Sequence, residues 1–529
     1  MIRALLLATT LLVAAPAAAQ ELAPDAAALK AHVQFLSADA MRGRDVGSPE
    51  IAIAEQYVAA QMLAAGLKPG GPNGSWLQPV PLVSYKSADH GSFTVRRGAT
   101  VVPLEWGTDY FARANPHIAR VAVSAPVVFV GYGVVDKISG YDDYKGLDVK
   151  GKIVAMLRDA PQSLSGDARA HLSQPDVQAR TAAERGAAGV ILIEGNARHA
   201  LFPFAATKPY WNSPAMTWSD DANTAATAPA FAYLGFDGAA KLFEGSKYKW
   251  ADILAADKAG KKLPHGALGV TVEATANTEI QKVAGNNVVG VLEGTDLKDQ
   301  YVVLSAHLDH VGVGKPDATG DTIYNGAMDN AVGTASMLEV ARRFQGGARP
   351  RRSILFVAVT AEEKGLVGSE YFAARPTVSA DKIVADVNLD MPILTFAFED
   401  VVAIGADHSS VGTIVAQAAA AEGVKVVPDP LPEENFFVRS DHYSFVKAGI
   451  PAVSLDVGPG GPGGAAIKEF LDKHYHRPSD EIGLIDWTQG LRFVKLNHAI
   501  ASALANADAR PTWNKGDFFG LTFKGPMAK

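Results

Sequence analysis

No cysteine occurs in the 529 residues, which excludes disulfides, a thiol nucleophile and any cysteine metal site. There is also no dense block of lysine and arginine. Forty-nine basic residues stand against 56 acidic ones, for a formal charge of -7, so nucleic acid and anionic membrane are poor partners. Past the N-terminus no apolar stretch is long enough to span a membrane. Repeats and low-complexity tracts are missing too, apart from the Gly/Pro run Gly458 to Gly464. What remains is an ordinary globular composition, 48% hydrophobic and 20% charged, in a chain long enough for more than one domain.

The first residues, MIRALLLATTLLVAAPAAAQ, combine Arg3, a short apolar run and the small residues Ala17-Ala18-Ala19. They read as a signal peptide over 1–19, with Gln20 as the first mature residue and no membrane anchor, which implies a periplasmic or secreted protein. Residues 20–120 mix a helical pattern, SPEIAIAEQYVAAQMLAAG, with short strands, and form the N-terminal part of the main domain. Over 121–278 the texture changes to strand candidates such as KIVAMLRDA and GVILIEG, interrupted by an aromatic, Pro-rich loop; this reads as a small β-rich insert. From 279 to 508 strands and helices alternate. The expectation is an α/β fold, a mixed and mostly parallel sheet sandwiched by helices, with functional residues at the carboxyl ends of the strands. Residues 509–529 read as a polar C-terminal tail with little structural signal.

Polar residues collect just past those strands. LSAHLDHVG supplies His307 and Asp309, which point the same way if the chain is extended. NGAMDNAVG supplies Asp329, TAEEKGLVGS supplies Glu362 and Glu363, NLDMP supplies Asp390, and KHYHRPSD supplies His476. Each alone has an ordinary explanation: an N-cap for Asp329, a turn for Asp390, a helix start for the glutamates. Their joint occurrence at one end of one sheet points to a metal site. Imidazole and carboxylate without thiolate suit zinc, or else manganese or cobalt. Neighbouring glutamates diverge on either a strand or a helix, so Glu362 and Glu363 cannot play the same part. One would bind metal while the other faces the attacking water, kept ionised by the surplus positive charge.

In order, the segments AHLDHVG, GAMDNAVG, TAEEKGLVGS, NLDMP, RSDHYSFVKAGIPA and YHRPSD resemble the co-catalytic two-zinc aminopeptidases, relatives of the glutamate carboxypeptidases, which have the zinc exopeptidase fold. The insert is similar to a protease-associated domain. The resemblance implies two zinc ions, one held by His307 and Asp390, the other by Glu363 and His476, with Asp329 bridging. It makes Glu362 the general base, Asp309 the group that orients His307 and Asp480 its counterpart for His476. Tyr475 would steady the oxyanion, and the Asp329-Asn330 peptide would be strained or cis. His310 and His474 fall outside this ligand set, His442 reads as structural, and Arg439 borders the pocket near Glu433 and Glu434. Implied overall is an exported aminopeptidase acting on peptide substrates. A carboxypeptidase or dipeptidase on the same scaffold is the alternative. A single-zinc glutaminyl cyclase and a receptor-like binding protein without catalysis are weaker, because no residue of the two-metal set is missing. The oligomeric state is not set by these features.

Overall fold

The computed structural model describes residues 22–220, 229–431 and 435–529. The signal-peptide segment 1–19 and the pair Glu433 and Glu434 lie outside the described residues.

Apolar strands without polar alternation need cover on both faces. Arg352–Val359, Leu297–His307, Ile383–Asn388 and Ala452–Val457 obtain it as the four parallel central strands of a nine-stranded sheet. Antiparallel neighbours extend it on each side, Asn286–Leu292 against Arg352–Val359 and Asp400–Ile404 against Ala452–Val457. Alternate side chains serve alternate faces. Val302, Leu304, Ile354 and Phe356 pack under the helices Val332–Arg343 and Trp487–Asn506. Val303, Leu355, Val357 and Val359 pack on the other face, against Phe372, Tyr443 and Phe445. This is the mixed α/β sandwich expected from the alternation of elements.

Two boundaries differ from the sequence reading. Residues 509–529 are not a loose polar tail: Trp513 and Phe519 are fully buried in the second face of the sheet. The Trp513 indole N–H donates to the Gly449 carbonyl at 2.8 Å. One tryptophan and a five-residue helix, Phe518–Thr522, are too short to set up a period, which is why this anchor was not legible. The insert, for its part, begins before residue 121. Its long strand Gly266–Val283 pairs with both Leu82–Ser87 and Ser92–Arg97, within a ten-stranded sheet. That sheet also has a parallel core, Arg120–Phe129, Ile153–Leu157, Gly189–Ile193 and Ala230–Leu234. The insert touches the main domain where His171 Nδ1 meets the Tyr443 hydroxyl at 2.5 Å. Among the described residues, no helix is long and apolar enough to cross a membrane.

One buried cation ties the N-terminal segment to the sheet's functional end. Arg44 is 1% exposed and donates to four carbonyls: Leu36 at 2.5 Å, Asn325 at 2.7 Å, Leu308 at 3.0 Å and Gly326 at 3.1 Å. Replacing it by methionine leaves those carbonyls without their donor. We expect Arg44→Met to cost roughly 3 to 5 kcal/mol in urea unfolding, with lysine failing to restore it because one ammonium cannot span the fork. An unchanged unfolding midpoint for Arg44→Met would contradict this role.

Candidate metal centre

The carboxyl ends of the central strands deliver the side chains. His307 is the last residue of its strand, Asp390 follows Asn388 closely, and Glu362 and Glu363 follow Val359 through a turn with the buried Ala361 at φ 56°. Asp329 lies just before the helix Val332–Arg343, and His476 in the turn after the helix Gly463–Lys473. The sheet thus gathers five separated chain segments at one place.

There Asp329 stands between two groups of donors. Its Oδ1 is 3.2 Å from His307 Nε2, which is also 3.0 Å from Asp390 Oδ1. Its Oδ2 is 3.2 Å from His476 Nε2, which is also 3.1 Å from Glu363 Oε2. His307 and Asp329 are buried, while the side chains of Asp390 and His476 remain 17% and 37% exposed and mark the open side. The cis peptide between Asp329 and Asn330 is present. Asn330 ties this loop to the Asp390 loop, donating to the Leu389 carbonyl at 2.9 Å and accepting from Met391 N at 3.1 Å.

Charge is concentrated to match. Burial opposes a charged His307, but the carboxylates of Asp390, Glu362 and Asp329 outweigh it and hold the imidazole well above its usual range. Burial likewise opposes charge on His476, yet hydrogen bonds to Asp329 and Glu363 raise it to about 10. In return, the imidazoles hold Asp329 well below the carboxylate range and Glu363 at about 2 against their desolvation. Glu362 has no such partner. Burial, then the carboxylates of Asp390, Asp441 and Glu363, push it well above the carboxylate range despite the attraction of His307.

The donor set fits zinc. It is made of imidazoles and carboxylates, and the donor atoms of His307, Asp329 and Asp390, and those of His310, Asp329 and Glu363, lie within 4.8 Å of one another in each group. His307 and His476 face the carboxylates that would share a divalent ion with them, and such an ion would displace any proton on the imidazoles and reverse the electrostatics around Glu362.

The supporting residues differ from expectation in three respects. The part of Asp309 that meets His307 is its main-chain carbonyl, which accepts from Nδ1 at 3.0 Å. Its carboxylate instead accepts from the backbone N–H groups of Glu362 at 3.1 Å and Glu363 at 3.3 Å, and so sets the glutamate pair. Asp480 does not act on His476; it accepts from Met328 N at 2.9 Å and Asp329 N at 3.0 Å, beneath the central aspartate. His310, set aside in the sequence, is fully buried at the site, its Nδ1 2.7 Å from Glu363 Oε1. The chain leaves the strand at His307, so the alternation argument stops there; the second histidine of AHLDHVG was the available signal.

Other residues fall as follows. The Tyr475 ring stacks on His476, centroids 3.9 Å apart. Ser440, unnoticed in the sequence, donates to Asp390 Oδ2 at 2.5 Å. His474 Nδ1 lies 3.0 Å from Ser479 Oγ, outside the donor groups. His442 is buried, which lowers its pKa to about 3 and keeps it neutral. The Arg439 guanidinium lies 5.3 Å from the Phe436 ring centroid. Arg44 was also missed; burial lowers its pKa to about 10, opposed by the negative field of Asp480 and Asp329.

Comparison with known proteins gives a consistent picture. Residues 287–501 match the model of Peptidase family M28. The chain has the fold of an aminopeptidase from Aneurinibacillus sp. strain AM-1, with a TM-score of 0.50 and 22% identity over 92% of this chain and 95% of that one. It is 30% identical over 142 residues to aminopeptidase NAALADL1 of Mus musculus, covering 25% of this chain and 17% of that protein. It is 28% identical over 221 residues to the probable glutamate carboxypeptidase AMP1 of Arabidopsis thaliana, covering 38% and 28%. These matches span less than a third of the length of either curated relative.

Carboxylate neighbours favour the protonated forms of His307 and His476 against their burial, and burial with like charge favours that of Glu362, so zinc added to metal-free protein at pH 7 should release up to about three protons per molecule. Calorimetry in buffers of different ionisation enthalpy counts them. No net release would mean that the imidazoles are neutral before metal arrives.

Proposed function

Residues 287–501 match peptidase family M28, and from that match we propose that the protein is an exported zinc aminopeptidase that uses two metal ions and Glu362 as general base. The observation that carries this reading is Asp329, whose two oxygens face two separate histidine and carboxylate pairs. His307 with Asp390 would hold one ion and Glu363 with His476 the other, with His310 bracing Glu363. Zinc in such a site supplies a Lewis acid for the scissile carbonyl and lowers the pKa of water to about 7.

The chain's own residues would do the rest. Glu362, unpaired by any imidazole, takes the proton of the attacking water and returns it to the leaving amine. Asp309 holds the Glu362 backbone in place through the N–H it accepts. The Tyr475 hydroxyl would donate to the oxyanion, its ring held by stacking on His476. A free amine would call on an acidic group near the metal centre, and Glu481 follows Asp480, which accepts from Met328 N and Asp329 N. Export rests on the N-terminal segment. A carboxypeptidase on the same scaffold is favoured only by the Arabidopsis relative, and would call on Arg439 for the terminal carboxylate.

Aminoacyl-p-nitroanilides, each free or N-acetylated, test the reading. We expect cleavage of the free-amine forms alone, lost with chelator and restored by zinc; cleavage of peptides only from a free carboxyl end would replace it with the carboxypeptidase. Glu362→Gln should retain metal while kcat falls roughly 10²- to 10⁴-fold, and full activity would remove Glu362 from the role of base. Asp329→Ala should lose metal by elemental analysis, and unchanged content would sink the shared-ligand assignment.

A further inference from the structure

The inserted domain has strand ends of its own. Ligands in open α/β sheets bind beyond the carboxyl ends of parallel strands. In the insert's parallel core, Arg158 follows the strand Ile153–Leu157 directly, and Arg198 lies in the helix Asn196–Leu201 just past Gly189–Ile193. Tyr233 lies near the end of Ala230–Leu234, and Arg113 joins from the antiparallel neighbour Tyr110–Ala112. Together they line a cavity of about 240 Å³.

Among the described residues no aspartate or glutamate lines this cavity, although Arg113, Arg158, Arg198 and Lys86 do. Lys86 is paired with Glu279 at 2.9 Å. Among the described residues none of the three arginines forms an ion pair. Glu194, the carboxylate that follows Ile193, is turned instead to Phe204 N at 2.5 Å and His199 Nδ1 at 3.1 Å. The Arg158 guanidinium lies 6.0 Å from the Tyr233 ring centroid, and that of Arg198 lies 5.1 Å from the Phe202 centroid. The Arg198 Nε is buried with no hydrogen-bond partner. Burial, then repulsion from Arg113 and Arg198, bring the Arg158 pKa down to about 10. Among the described residues the three guanidinium groups are therefore crowded without a counter-charge, in a chain whose net charge is -7. Such a cluster opposes folding unless an anion completes it.

We propose that this cavity binds a small polyvalent oxyanion, a phosphate group or a compact di- or tricarboxylate, held by Arg113, Arg158 and Arg198. Guanidinium forks match the paired oxygens of both classes, and a cavity of about 240 Å³ has room for a ligand of that size. The site shares no residue with the metal centre, so occupancy and hydrolysis are separable.

Calorimetric titration of the zinc-loaded protein with inorganic phosphate, and separately with citrate, at constant ionic strength in chloride tests it. We expect saturable binding by at least one of them, weakened about tenfold or more in Arg158→Met and in Arg198→Met, with hydrolysis unchanged in both variants. The tighter anion identifies the class. Phosphate that inhibits hydrolysis and binds the variants as well as the wild type is held at the metal centre, and that result overturns the proposal, as does no saturable binding by either anion. Melting provides an independent check. Relief of repulsion should raise the melting temperature of anion-free Arg158→Met above wild type, and the anion should stabilise only the wild type. A variant that melts lower and responds equally to the anion would make these arginines structural.

Discussion

Buried carboxylates that face one another must be compensated, and the structure around Asp329 is organised by that requirement. Its two oxygens each meet an imidazole nitrogen at 3.2 Å, and each imidazole in turn meets a further carboxylate. Without such partners the desolvation of these acids would oppose the fold. Glu362 is the exception, a part-buried carboxyl with no imidazole hydrogen-bonded to it, and it is the group whose protonation an added cation would change most.

The compensation reaches the rest of the molecule through main-chain groups more than side-chain pairs. Asp309 and Asp480 spend their carboxylates on backbone N–H groups, one under the glutamate pair and the other under the central aspartate. Arg44 works from the opposite sign, donating to the carbonyls of Leu308, Asn325 and Gly326 that flank the same loops. Anchoring the backbone fixes where a side chain starts, which constrains donor positions as strongly as holding the side chain itself. The C-terminal segment contributes from below, where Trp513 and Phe519 close the face of the sheet opposite the helices Val332–Arg343 and Trp487–Asn506.

Both sheets have a parallel core, and both gather charged residues past its carboxyl ends. In the main domain the cluster is acidic and completed by histidine; in the insert it is basic, with no acidic residue among the described ones that line the cavity. Parallel strands with helical crossovers leave their loops at one end, so loop residues from distant parts of the chain converge there whatever their sign.

Much of this was legible in the linear chain. Continuous β-branched runs such as Ile354 to Val359 marked the central strands, and His307, Asp329, Glu362, Glu363, Asp390 and His476 stood out because nearly all of them follow a strand or open a helix. Those are local properties, set by burial on both faces and by where a strand must stop. Only the tertiary structure decided which atoms meet. His310 enters the site because the chain turns after His307; Asp309 reaches its neighbours through a carbonyl and two backbone N–H groups; Arg44 and Trp513 find their partners hundreds of residues away or across a sheet face. Nothing in residue order encodes a contact made through space by a main-chain atom, since every residue carries the same backbone donor and acceptor and only folding selects which of them are used.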